Sequence, residues 1–254
     1  MPGEQEEESV SSETPDALLD RVRKLLVKAE ADGVTQAEAQ ALTGKAAELM
    51  AKYGIDRALL AARRPETDRP GDRVIDIGNP WARVQAHLLC GLAATLRCQC
   101  VILPRSGPGS RIHVFGFASD IERTDVLYTS LLIQMWQGLA ATQPPAWAQS
   151  PRAWRRSWLL GFATAVVARV RAAEQGAAQR AAGAVTGDGR SAALVLADRT
   201  AIVERTLRAA YPVTRRSRVT YSGSGYGNGY AQGQRADIGA SRLGRTAGRA
   251  LAGS

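Results

Sequence analysis

Residues 16–56 read DALLDRVRKLLVKAEADGVTQAEAQALTGKAAELMAKYGID. Leu18, Leu19, Val22, Leu25, Leu26 and Ala29 recur at helical spacing and form one apolar face. Thr14 and Pro15 give that helix an N-cap and a proline at its first position, and Gly33 stops it. Thr35 and Glu38 have capping-box spacing for a second helix, whose apolar stripe is Leu42, Ala46, Leu49, Met50 and Tyr53. Gly54 stands where a left-handed C-cap is wanted, with Ile55 able to fold back on Met50. The short connection predicts an antiparallel helical hairpin over 14–60. Two helices have too little core to stand alone, so the hairpin must pack on the rest of the chain or on a protein partner.

The segments LLVKAE, T-x-x-E-A and KAAELMAKYGID resemble the N-terminal domain of a domain-of-unknown-function family found in actinobacterial and phage genomes. The pieces WRRSWLLGFA (154–163), SAALVLADR (191–199) and YGNGYAQGQRADIG (226–239) resemble the companion C-terminal region. The resemblance implies a small helical module, a mixed second domain and a phage or mobile-element setting. It supplies no catalytic residues.

Beyond the hairpin, residues 61–73 (AARRPETDRPGDR) are charged, hold two prolines and read as a linker. A mixed domain is expected over 74–254. Val74 to Ile77 is predicted as a strand, and 98–103 and 111–117 as a hairpin around PRSGPGS. Helices are predicted from Asn79-Pro80 to Arg97, from a Ser119–Glu122 capping box to Pro144, from Ser150-Pro151 to near Gly183, and over 198–210. Ala192 to Leu196 reads as a strand or buried turn, residues 211–233 as irregular, and 235–251 as an interrupted helix. The fold class expected is α+β, mostly α, with a small antiparallel sheet.

Charge is unevenly placed. Residues 1–70 carry net −4, 71–150 net +1 and 151–254 net +12. The first 13 residues are acidic and polar, expected to be a disordered tail and unlike a signal peptide. No apolar run is long enough for a membrane span. Three cysteines suit a reducing cytoplasm.

Several chemistries lack their motifs. No lysine follows Lys52, so the C-terminal glycines cannot form a Walker loop, and they miss the dinucleotide spacing. His87 and His113 belong to no H-E-x-x-H pair, and no G-x-S-x-G elbow is present. Three constellations remain. Arg205, Arg208, Arg215, Arg216 and Arg218, with Tyr211, Tyr221, Tyr226 and Tyr230 and then Arg242, Arg245 and Arg249, could pair phosphates and stack on bases of DNA or RNA. Arg152, Arg155 and Arg156 could extend that patch; a solvated basic face is the plainer reading. His87, Cys90, Cys98, Cys100 and His113 could hold zinc, although core cysteines are commoner than this ligand spacing. Glu174, Asp188, Asp198, Glu204 and Asp237 are the acids near the glycine run, and a converging pair could do acid–base work. The leading expectation is a non-enzymatic accessory protein without a cofactor that binds nucleic acid through residues 205–249. The alternatives are a metal-dependent hydrolase-like enzyme and a structural or assembly protein.

Overall fold

The computed structural model describes residues 15–29, 36–186, 189–215 and 223–236. Seven α-helices and one three-stranded sheet make up the described residues, so the fold is mostly α with a small antiparallel sheet. None of these helices is long and apolar enough to cross a membrane. The acidic segment 1–13, Thr14, Gly33 and Thr35 lie outside the described residues, as do the side chains of Leu26, Ala29, Glu38 and Leu42.

Helices α1 (Pro15–Ala29) and α2 (Gln36–Arg63) form the expected hairpin. Its stripe is buried in the main core. Leu18, Leu19, Val22, Met50 and Tyr53 cluster with Leu88 and Leu92 of α3 (Ala82–Thr95), Leu131 and Met135 of α4 (Ala118–Ala140), and Trp154, Trp158 and Phe162 of α5 (Pro151–Arg180). The start of α5 is as expected: the Ser150 side chain accepts the Ala153 N–H, and proline follows the cap.

Two boundaries near the end of α2 differ from the sequence reading, each for a tertiary reason. Gly54 does not end α2. Helix-forming residues continue to Arg63, with Ala58 and Ala61 buried. The glycine instead makes room: a Cβ there would lie 2.0 Å from Nη1 of Arg123. Nor is 61–73 a free linker. It holds the end of α2, a 3-10 turn at Pro65–Thr67 and the first half of β1 (Pro70–Ile77). Asp68 within it is buried, because Ser119 and Arg199 bind its carboxylate.

The sheet has the order β1-β3-β2, with β2 at Gln99–Leu103 and β3 at Ser110–Phe117. Both pairings are antiparallel, His113 lying opposite Val74 on one side and Val101 on the other. Ile112 and Val114 face α3, where they pack with Ala86, Leu89 and Ala93. Phe115 and Phe117 belong to the cluster formed with Val203 and Leu207 of α6 (Ala192–Ala210). Helix α6 is longer than expected. Residues 192–196 are its first turns, capped by the Ser191 hydroxyl, which accepts the Leu194 N–H.

The Ser119–Glu122 capping box does not form. Phe117 is the N-cap residue of α4, and Ser119, just inside the helix, turns its hydroxyl to Asp68. Glu122 reaches Arg23 of α1 at 2.6 Å.

The largest correction concerns the glycine run. Residues 226–233, expected to be irregular, belong to α7 (Tyr226–Arg235), which lies along α5. A Cβ added at Gly225, Gly229 or Gly233 would fall 2.4, 1.8 or 2.6 Å from the carbonyl oxygen of Trp154, Trp158 or Phe162, respectively. On α5, a Cβ at Gly161 would fall 2.2 Å from the Tyr226 carbonyl oxygen. The contacts advance together along both chains, so the two helices run parallel. Absent Cβ atoms let the backbones touch. These glycines are a packing seam rather than a loop that admits a ligand.

Candidate nucleic-acid interface

The described residues of the expected basic patch come from the end of α6 and just beyond it, and from α7. Arg205 and Arg208 lie exposed on the last two turns of α6, and Arg215 is exposed just beyond them. Arg208 pairs with Glu204 at 3.2 Å across an exposed helix face, and such pairs are worth little. Arg205 and Arg215 have no ion-pair partner among the described residues. Tyr226 and Tyr230 are exposed on α7 and stack on each other, ring centroids 6.1 Å apart. Helix α6 packs on α2 and the sheet, whereas α7 packs on α5, so the arginines and this tyrosine pair are carried by helices with different packing partners. Arg216, Arg218, Tyr221, Arg242, Arg245 and Arg249 lie outside the described residues. Of the arginines at the start of α5, Arg152 lies 5.9 Å over the Trp81 ring. Arg155 borders an open cleft of about 690 Å³ together with Trp136, Leu139, Pro144 and Pro145.

The zinc constellation does not assemble. Among the described residues, no group of three or more His, Cys, Asp or Glu could hold a metal ion. His87 is exposed on α3, while Cys98 is fully buried. Burial pushes the Cys98 thiol up to about 12. A hydrogen bond between Cys90 and Cys100 draws the Cys90 thiol down and, with burial, pushes the Cys100 thiol up.

His113 is instead engaged by two side chains that its sequence neighbourhood does not suggest. Its Nδ1 lies 2.8 Å from the hydroxyl of Tyr211, and its Nε2 lies 2.8 Å from Oδ2 of Asp72. Asp72 comes from β1 and Tyr211 from the C-terminal end of α6. Tyr211 meets both Phe115 and His113 edge-on.

Among the described residues, the acids near the glycine run do not converge either. Asp198 pairs with Arg190, Glu204 with Arg208, and Asp188 and Asp237 lie outside the described residues. Glu174 belongs to a different cluster, buried at the centre of the molecule. Arg199 donates to Asp68 at 2.7 Å and to Asp120 at 3.0 Å. Arg123 bridges Asp120, at 3.0 Å, and Glu174. Arg97 reaches Glu174 at 3.2 Å and Asp120 at 3.4 Å. Three carboxylates thus meet three guanidiniums, and their formal charges cancel. The Arg199 guanidinium also lies 3.7 Å over the Phe117 ring, a cation–π contact. Arg97 adopts a left-handed backbone, φ 66°, between α3 and β2. Its two ion pairs offset a conformational cost of about 1–2 kcal/mol for a residue with a Cβ.

Burial alone would raise the Asp120 carboxyl, but the guanidiniums of Arg97, Arg123 and Arg199 hold it below the usual carboxylate range. A carboxyl lowered by folding contributes stability above its unfolded value, and that stability is lost as pH falls through the folded one. Asp120→Asn is therefore expected to lower the urea midpoint at neutral pH, with the gap to wild type closing as pH falls below about 4. A gap that stays constant down to pH 2 would contradict this assignment.

Residues 17–57 match a protein family of unknown function, DUF2786. That match covers the helical hairpin and stops short of the sheet, α6 and α7. No curated protein and no solved structure matches the chain.

Proposed function

We propose that the chain is an accessory protein that binds nucleic acid through the exposed end of α6 and the segment that follows it. The observation that carries the reading is the unneutralised charge there. Arg205 and Arg215 stand exposed without an ion-pair partner among the described residues, where Arg208 pairs with Glu204 alone. They lie in the part of the chain with net +12. Guanidiniums without internal partners are free to take phosphate oxygens two at a time. The exposed tyrosine pair on α7 is a separate platform on which unpaired bases can stack. The resemblance of the hairpin suits a phage or mobile-element setting for this role.

Fluorescence anisotropy with labelled single- and double-stranded DNA and RNA, run from low to physiological salt, tests the reading. Binding by the full chain is expected to weaken steeply with salt. The triple variant Arg205→Gln, Arg208→Gln, Arg215→Gln should lose affinity and flatten the log–log salt slope by about 0.7–0.9 for each phosphate contact removed. Binding that ignores salt, or a triple variant that binds as tightly as wild type, sinks the proposal.

A further inference from the structure

We propose that Tyr211, His113 and Asp72 form a nucleophilic relay that transfers a phosphodiester onto the Tyr211 oxygen. The relay rests on the reading above for its natural substrate, since nucleic acid is the phosphodiester the neighbouring arginines would hold. It goes beyond that reading by adding a covalent step.

The geometry is that of a nucleophile, a base and an orienting group in hydrogen-bond sequence. A phenol is a poor nucleophile near neutral pH, because its ordinary pKa is about 10. It needs a base within reach, and His113 Nδ1 is 2.8 Å away. Asp72 accepts the Nε2 proton at 2.8 Å, which selects the tautomer with a lone pair on Nδ1 facing the phenol. The three groups come from three elements and are fixed by different means. Asp72 is held by the β1–β3 register and His113 sits on the central strand. Tyr211 is held by its backbone N–H, which donates to the Leu207 carbonyl at 2.7 Å. Docking of α6 does not depend on this chain of hydrogen bonds, because Val203 and Leu207 already pack it against Phe115 and Phe117. Tyr211 is half-buried rather than enclosed. Arg208 precedes it by one helical turn and Arg215 follows by four residues, both exposed.

In the step, the Tyr211 oxygen forms a bond to phosphorus and the bond from phosphorus to one ester oxygen breaks. The tyrosine proton passes to His113 Nδ1 and from there to the departing alkoxide, which leaves as an alcohol. The product is a phosphotyrosyl diester with the charge of the starting one, so no oxidant or further reactant is required. Tyr211 and His113 are the catalytic residues; Asp72 is a positioning residue.

The full chain is incubated with two probes, a 5′-labelled single-stranded DNA oligonucleotide and bis(4-nitrophenyl) phosphate, which needs no nucleic-acid surface. The expected result is a covalent adduct mapped by mass spectrometry to Tyr211, with release of 4-nitrophenol from the small diester. Tyr211→Phe should form none while still unfolding in one cooperative thermal transition. His113→Ala should slow adduct formation by about 10²–10⁴-fold and recover in part with added imidazole. Asp72→Asn should slow it in the same direction, with Asp72→Glu recovering part of the rate, a pattern that a purely structural bond would not give. An adduct with the small diester but no DNA binding supports the relay and removes nucleic acid as its substrate. DNA binding with no Tyr211 adduct from either probe overturns the relay and leaves the binding reading standing. No binding and no adduct overturns both.

Discussion

Arg123→Met is expected to cost about 3–5 kcal/mol and to lower the thermal midpoint by on the order of 10 °C. Arg123 is fully buried and bridges Asp120 and Glu174, with the space left open by Gly54 accommodating its guanidinium. Methionine fills much of the same volume, so a cavity is not the main cost. The loss comes from charge: three buried carboxylates would face two guanidiniums, and hydration that was given up on folding could not be replaced. Glu174→Gln in the same background should restore part of the loss, because it removes the charge left unpaired. Urea denaturation of the two single variants and the double variant measures the coupling. Strict additivity would show that the two side chains do not act as a pair.

Gly229→Ala should destabilise the C-terminal part by the upper end of about 1–3 kcal/mol. Its Cβ would lie 1.8 Å from the Trp158 carbonyl oxygen and 2.5 Å from that carbonyl carbon. Both are backbone atoms within α5, so neither can swing aside; the two helices must separate. Gly225, Gly233 and Gly161 share the seam, and every close contact along it would loosen together. Limited proteolysis at Arg235 should quicken markedly in this variant. Gly227→Ala provides the contrast on the same helix. Nothing lies within 4 Å of its added Cβ, and alanine favours a helix over glycine by about 1 kcal/mol. Equal protection of the two variants would remove the seam from the account.

These contrasts separate what is legible in the sequence from what is not. Stripes and caps are local: the stripes of α1 and α2 place Leu18, Val22, Met50 and Tyr53 in the core, and Ser150 caps α5. Alternation and turn glycines likewise locate the strands. Glycine itself is ambiguous. The same residue type serves as a helix stop, a flexible loop or a helix seam, and only the opposing backbone distinguishes them. Hence Gly54 reads as a cap, and Gly225, Gly229 and Gly233 as a loop, until their neighbours are seen. The polar clusters are harder still. Asp68 meets Arg199 across 131 residues, and His113 meets Tyr211 across 98. Such partnerships leave no periodicity, so sequence proximity groups His113 with the cysteines and leaves Asp72 in a linker.

The charge knot also has a consequence during synthesis. Asp68 and Asp120 are made long before Arg199, which joins both of them at the centre of the molecule. While the ribosome is still translating α5, these carboxylates lack one of their cations and favour water over the core. The nascent chain therefore has reason to stay partly open until α6 has left the exit tunnel, and the last third of the message decides when the first third can close.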